Sequence, residues 1–225
     1  MRSVFDIIGP VMVGPSSSHT AGAVRIGLVG RSLLGGTPKD AEIRLHGSFA
    51  ATHSGHGTDK ALLGGLLGFA PDDIRIRDAF QYAAESGMNF RIIEAEIPNA
   101  HPNTAILRLV ADNGEKVDIQ ATSVGGGSIE VSMINGYEVH LTGEYDSIMT
   151  IHKDSPGMVA AVGSILACDQ VNIAFMRLSR KHKGEEALML LENDSHVSEK
   201  TLQAIAALAP VVKVFALPKL MEDDI

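Results

Sequence analysis

The 225-residue sequence has one cysteine, no tryptophan and only 4% aromatic residues. With Cys168 alone, an internal disulfide is excluded, and so is a metal centre held by several thiolates of this chain. This sparing use of cysteine is typical of proteins in the reducing cytoplasm, which is where we expect this protein.

Positive charge is also scarce. Lysine and arginine number 19 against 27 acidic residues, for a net charge of −8. Nucleic-acid binders usually carry a basic face, so the charge balance argues against that class. No apolar run approaches the roughly 18 residues that a membrane-spanning helix needs, and the N-terminus lacks a signal-peptide pattern. We therefore expect neither a nucleic-acid nor a membrane partner.

Glycine is abundant only in the first part of the chain, where 20 of the 23 glycines precede Glu144. Since glycine favours turns and close backbone approach, this contrast predicts a domain boundary near Gly143, with domains at 1–143 and 144–225. In the first domain the patterns predict α+β structure, with helices first and strands later. The predicted helices are Val4–Ile8, Ala21–Leu34, Asp59–Phe69 and Asp78–Ser86, and His46–Thr58 is predicted to be a polar loop.

The second domain has a simpler predicted order, strand–helix–strand–strand–helix–strand, which is the ferredoxin-like βαββαβ arrangement. Its first helix is predicted at Met158–Cys168 and its last strand at Val211–Leu217. Met158, Met176, Met189 and Cys168 lie in apolar stretches, so we expect them in the core.

The segment Gly14–Gly22, with the sequence GPSSSHTAG, is the strongest candidate site. It places hydroxyls and an imidazole between glycines, directly before an apolar helix. Free N–H groups and the helix dipole at such a start favour anions, and hydroxyls add donors. An ordinary serine cap would give a similar local pattern.

Three further polar motifs follow along the chain: Thr52–Lys60, His101–Thr104 and the glycine run Ser123–Ser128. Each also has a simple structural interpretation, as a solvated loop with a helix cap, a turn, and a bulged hairpin. The histidines lack the H-E-x-x-H spacing of zinc hydrolases, and the glycine motifs match neither a P-loop nor a nucleophile elbow.

Taken together and in this order, GPSSSHTAG, GHGTDKA, HPNTA and SVGGGSI resemble the beta subunit of the two-chain bacterial iron–sulfur L-serine dehydratase. The resemblance covers essentially the whole chain. It implies that the first domain is similar to the allosteric-substrate-binding domain of phosphoglycerate dehydrogenase. The second domain resembles an ACT domain, a small unit that often pairs and binds amino acids.

The resemblance implies conversion of L-serine to pyruvate and ammonia at a [4Fe–4S] cluster. A Lewis-acid iron would ease departure of the β-hydroxyl, and a base would take the Cα proton. The site residues that it implies are Ser16, Ser17, Ser18, His19, Thr20, His56, Thr58, Asp59, Lys60, His101 and Asn103. Either His19 or His56 could be the base.

One cysteine cannot ligate such a cluster, which needs at least three thiolates. The resemblance places the cluster cysteines in a partner alpha subunit, so this chain alone holds no metal and is expected to be inactive without that subunit. The ACT resemblance implies a regulatory ligand site at a homodimer interface. Its residues would be Asp154, Ser155, Pro156, Gly157 and Asn172.

Two other functions stay open on the sequence. The chain could be a stand-alone amino-acid sensor without catalysis, or a self-contained hydrolase using His19 and Asp59. These alternatives differ from the subunit hypothesis in whether the chain binds or turns over a substrate by itself.

Overall fold

The structure, a computed structural model, describes residues 10–220. The predicted helix Val4–Ile8 lies outside them. The chain is mixed helix and sheet, so the α+β class is confirmed. It divides into two compact units between Asn135 and Gly136, a few residues before the predicted boundary near Gly143. The assignment of the two domains to named types stays a prediction.

One helix of the first unit begins as a π-helix and continues as an α-helix. Ser18–Gly22 forms a π-helical turn that continues directly into α1, Ala23–Leu34. The others are α2 Gly47–His56, α3 Thr58–Leu67, a 3₁₀-helix Ile74–Asp78 and α4 Ala79–Glu85. The N-terminal turn therefore starts three residues earlier than predicted and includes Ser18, His19 and Thr20.

The strands of the first unit are β1 Asp40–Leu45, β2 Asn89–Glu94, β3 Thr104–Val110, β4 Lys116–Gly125 and β5 Ser128–Ile134. They lie in the order β2-β1-β3-β4-β5. β1 pairs in parallel with β2, and the other pairs are antiparallel. As predicted, the strands are concentrated in the second half of the unit.

Two glycines allow α1 and α3 to approach closely. A Cβ atom on Gly65 would lie 2.1 Å from the carbonyl oxygen of Val24, and one on Gly27 would lie 2.4 Å from that of Leu62. These distances are far below van der Waals contact, so no side chain fits at the crossing. The two glycines thus fix the relative position of the helix starts that carry His19 and Asp59.

The predicted loop His46–Thr58 is wrong, because most of it is the helix α2. Gly55 lies inside this helix, and an interior glycine costs only about 1 kcal/mol relative to alanine. Phe49 in the first turn is completely buried, and burial of an aromatic side chain is worth more than that cost. Gly57, with φ of 73°, then ends the helix in the left-handed conformation that favours glycine.

The second unit begins with a strand that the sequence patterns did not predict, β6 Tyr137–Leu141. The remaining elements are β7 Asp146–Lys153, α5 Met158–Cys168, β8 Ile173–Arg180, β9 Glu186–Asn193, α6 Glu199–Ala206 and β10 Val211–Leu217. From β7 onward the order is βαββαβ, as predicted. The sheet order is β10-β7-β9-β8, with antiparallel neighbours.

Two core predictions in this unit are wrong. On α5 the buried residues Met158, Val162 and Leu166 recur every four positions, and Cys168 lies off that stripe and is exposed. Met176 is also exposed, on the edge strand β8. Apolar composition alone did not reveal which side of each element faces the core. Met158 and Met189 are buried as predicted.

Between residues 10 and 220, none of the helices has the length and apolar character required to cross a bilayer.

Candidate active site

The loop before α1 is held tightly against the π-helical turn. A Cβ atom on Gly14 would lie 2.1 Å from the Thr20 hydroxyl oxygen. The N–H of Thr20 donates to the carbonyl of Ser16 at 2.8 Å, and the N–H of Gly22 donates to that of Ser17 at 2.9 Å. Single π-helical turns occur frequently at functional sites. Here the turn brings the serines and His19 to the start of a buried helix.

His19 is the centre of this cluster and is 9% exposed. Its Nδ1 lies 3.3 Å from the hydroxyl of Ser16, and its Nε2 lies 3.2 Å from the hydroxyl of Ser48. Phe49 packs edge-on against the ring, and the His56 ring centroid is 5.1 Å away. Since hydroxyls both donate and accept, this setting accommodates either neutral tautomer.

Burial lowers the pKa of His19, and the positive charge of His56 lowers it further, against a partial increase from a hydrogen bond with the Ser48 backbone. The imidazole is therefore neutral near pH 7. A neutral imidazole can accept a proton, which is the property that a general base needs.

The charge of His56 gives a direct test of this geometry. Protonated His56 opposes protonation of His19, so we expect His56→Gln to raise the pKa of His19, although burial should keep it below the usual histidine value. NMR titration of the ring resonances of the chain would measure the shift. His182→Gln, which removes an exposed imidazole from the second unit, should leave the His19 titration unchanged. An unchanged midpoint in His56→Gln would contradict the proposed proximity.

The start of α3 contributes a buried hydroxyl and a buried carboxylate. The Thr58 hydroxyl has no hydrogen-bond partner within residues 10–220. Asp59 accepts from the N–H of Lys60 at 2.8 Å, and its other oxygen lies 3.5 Å from Nδ1 of His53. The amine of Lys60 instead donates to the carbonyl of Arg77 at 2.7 Å. The carboxylate is thus associated with His53, which was not among the predicted site residues.

The third and fourth motifs meet beside the same π-helical turn. The N–H of Asn103 donates to Nδ1 of His101 at 3.1 Å, and the N–H of Ser123 donates to the carbonyl of Asn103 at 3.0 Å. A Cβ atom on Gly22 would lie 2.2 Å from the hydroxyl oxygen of Ser123. Asn103 and Ser123 therefore lie near the helix start, whereas the His101 side chain is exposed.

Sequence reasoning missed Arg25 and Ser48. Arg25 is buried on α1 and donates to the carbonyl of Gly127 at 2.7 Å, within the glycine run. A Cβ atom on Gly127 would lie 2.9 Å from the guanidinium, so the glycine makes room for the cation. The sequence does contain a signal for Arg25, because an arginine within the apolar run of α1 must find a buried partner. It contains no signal for Ser48, because the segment of Ser48 is predicted to be a loop.

In the second unit, the carboxylate at the start of the turn Asp154–Gly157 already has hydrogen-bond donors from the same chain. Asp154 accepts from the guanidinium of Arg180 at 2.8 Å and from the N–H of Gly184 at 3.0 Å. The hydrogen bond from Gly184 and then the one from Arg180 lower the pKa of this carboxyl. Ser155 and Pro156 lie within the turn, and Gly157, with φ of 92°, precedes α5.

Asn172 does not join this turn within one copy of the chain. It lies at the start of β8, where its amide donates to Asp194 at 2.5 Å. β7 and β8 both pair antiparallel with β9, so they run in the same direction. The turn follows the end of β7, and Asn172 precedes the start of β8, so the two lie at opposite ends of the sheet. A ligand site containing both would need two copies, and it stays a prediction.

Comparison with known proteins identifies the family. The family model described as "Serine dehydratase beta chain" matches residues 3–133, which include all four motifs. The chain belongs to the serine dehydratase beta chain family. This confirms the resemblance that the four motifs indicate.

Members of this family match the chain along nearly its whole length. It is 44% identical over 214 residues to a probable L-serine dehydratase beta chain of Bacillus subtilis, covering 95% of this chain and 96% of the relative. It is 38% identical over 204 residues to the L-serine dehydratase beta chain of Peptoniphilus asaccharolyticus, covering 90% and 92%. A D-3-phosphoglycerate dehydrogenase of Bacillus subtilis is 27% identical over 177 residues, covering 78% of this chain but 33% of that enzyme.

Proposed function

We propose that this chain is the beta subunit of an L-serine dehydratase, a lyase that converts L-serine to pyruvate and ammonia together with an alpha chain. The observation that carries the proposal is the buried imidazole of His19, which lies between the hydroxyls of Ser16 and Ser48 and beside the ring of His56, in a chain of the serine dehydratase beta chain family. We further propose that the two-chain enzyme works in the cytoplasm.

The residues of this chain are suited to bind a serine zwitterion and to accept its Cα proton. The hydroxyls of the Ser16–Thr20 segment and the buried cation of Arg25 are donors suited to a carboxylate. The buried, neutral imidazole of His19 is suited to accept the Cα proton, while the exposed His56 is suited to exchange that proton with solvent. Loss of the β-hydroxyl as water leaves an enamine, which tautomerises and is hydrolysed to pyruvate and ammonia.

The [4Fe–4S] cluster belongs, in this proposal, to the alpha chain. Cys168 is the one cysteine of the sequence, and it lies on α5 in the second unit. Among residues 10–220 no group of three or more histidine, cysteine or acidic side chains could hold a metal ion. The residues of this chain therefore do not fit the cluster.

We propose that the second unit is an ACT domain that pairs with a second copy. Pairing would allow the Asp154–Gly157 turn of one chain to meet Asn172 of the other and form an amino-acid site. The βαββαβ order and the sheet order β10-β7-β9-β8 support this proposal.

Anaerobic reconstitution tests the subunit proposal. We expect the purified chain to be colourless and to show no serine turnover, because it lacks the thiolates for a cluster. Mixing with a cluster-bearing alpha chain should give a brown complex that forms pyruvate from L-serine. Failure of the mixture to form pyruvate would contradict the proposal.

The same experiment separates the two other functions. Saturable L-serine binding by the chain alone, with no added activity in the mixture, would favour an amino-acid sensor. Substrate turnover by the chain alone after chelation of iron would favour a hydrolase that uses His19 and Asp59.

A further inference from the structure

Glu192 on β9 is a buried carboxylate with an unsatisfied oxygen. It is 3% exposed, and its Oε1 has no hydrogen-bond partner in the part of the chain that the structure describes. Burial raises the pKa of Glu192, and hydrogen bonding from Thr142 only partly offsets this effect. Burying a carboxylate is costly unless it is paired and hydrogen-bonded. Such a group is a candidate for a ligand that supplies the missing donor.

Strand register places a cation on the same face as this carboxylate. Glu192 and Leu190 are two residues apart on β9, so both side chains lie on one face of the sheet. Phe175 is paired with Glu192, and Arg177 is paired with Leu190 on the neighbouring strand. Because cross-strand partners share a face, the carboxylate and the guanidinium lie diagonally opposite, with apolar side chains beside them.

These residues line a hollow in the second unit. Its volume is about 400 Å³, and its lining consists of His140, Phe175, Met176, Arg177, Leu190 and Glu192. This volume is within the range of small-molecule sites. Phe175 is 59% exposed and Met176 is 50% exposed, so apolar surface borders the hollow. The guanidinium of Arg177 also lies 3.6 Å from the carboxylate of Glu138, and an exposed ion pair of this kind contributes little stability.

We propose that this hollow binds a small α-amino acid with an apolar side chain, its ammonium group on Glu192 and its carboxylate on Arg177. The ammonium supplies hydrogen-bond donors and a positive charge to the unsatisfied oxygen. The guanidinium is suited to hold a carboxylate through two parallel hydrogen bonds. The side chain of the ligand packs on Phe175, which shares the face of Glu192 and Arg177.

None of the residues that line this hollow belongs to the two sites described above. Glu192 pairs with Ser147 at the beginning of β7, whereas the turn Asp154–Gly157 follows the end of that strand. The site lies in the second unit and the His19 cluster in the first. It therefore goes beyond the proposed function, since it needs neither serine turnover nor the alpha chain.

Isothermal titration calorimetry of the 225-residue chain with L-leucine tests the proposal. Leucine carries both charged groups, and it lacks the hydroxyl of the proposed substrate. We expect saturable binding that Glu192→Gln and Arg177→Met each weaken by about tenfold or more, as for loss of a charge-assisted hydrogen bond. 3-Methylbutylamine and 4-methylpentanoate, which each lack one charged group, should bind the wild type about tenfold more weakly than leucine does.

Control variants distinguish a loss of leucine binding from a folding defect. Glu199→Gln removes an exposed carboxylate on α6 and should leave leucine affinity unchanged. Glu192→Gln should unfold at the same or a higher temperature than the wild type, because it removes a buried charge. The proposal is overturned if leucine gives no binding at about 10 mM, a concentration that detects even weak sites. Equal affinity of the wild type and Glu192→Gln, or of leucine and 3-methylbutylamine, would also overturn it.

Discussion

Replacing His19 by glutamine should lower kcat for serine elimination by the assembled two-chain enzyme at least about 100-fold, the usual contribution of a general acid–base group. His19 is the buried group that faces the hydroxyls of Ser16 and Ser48, and its lowered pKa keeps it neutral and able to accept a proton. Glutamine can still hydrogen-bond to these hydroxyls but cannot take up a proton near neutral pH. The measurement is pyruvate formation at saturating L-serine.

A matched variant distinguishes this loss from a general effect of removing a histidine. His182→Gln changes an exposed residue in the turn between β8 and β9 and should leave kcat unchanged. Both variants should bind the alpha chain and show the circular dichroism of the wild type. If His19→Gln kept wild-type kcat, the assignment of His19 to proton transfer would be wrong.

Gly65→Ala should reduce the free energy of unfolding by about 2 kcal/mol or more, as expected for overpacking in a tightly packed core. The new Cβ atom would lie 2.1 Å from the carbonyl oxygen of Val24 and 2.9 Å from Cα of Gly27. Both neighbours are backbone atoms, which cannot move without separating α1 from α3. Because α1 continues the turn that carries His19, activity should fall together with stability. Urea unfolding followed by circular dichroism measures the stability change.

Gly163→Ala on α5 is the matched control for this variant. It introduces the same methyl group into a helix, but at a position with no atom within 4 Å of the new Cβ. Alanine has the higher helix propensity, so this change should stabilise the protein by about 0.5–1 kcal/mol. The close crossing of α1 and α3 would be refuted if the two substitutions had effects of the same sign and size.

Much of the second unit followed from local patterns. The helix Met158–Cys168 and the strand Val211–Leu217 have the predicted bounds. A turn residue precedes the helix, and the strand is a short run rich in valine, with phenylalanine. Both signals lie in neighbouring residues of the sequence. The exposure of Cys168 could not be read this way, because α5 is apolar on nearly all sides and its buried face depends on what packs against it.

The candidate site was predicted in part. The serine loop and His19 were identified because hydroxyls between glycines at a helix start are chemically unusual. Ser48 was missed because its segment was predicted to be a polar loop, whereas burial of Phe49 favours a helix. His53 was not among the predicted site residues, although its ring lies 3.5 Å from Asp59. These contacts join residues that are distant in sequence or on a misassigned element.

The sequence by itself determined the family, through four motifs in a fixed order, and the α+β class, through its periodicity. Tertiary structure alone decided that His19 lies between two serine hydroxyls, that Arg25 is buried against the glycine run, and that Asn172 lies away from the Asp154 turn within one chain. The physical reason is that helix and strand preferences act over a few residues. Burial, pKa shifts and close approach depend instead on segments that meet only when the chain has folded.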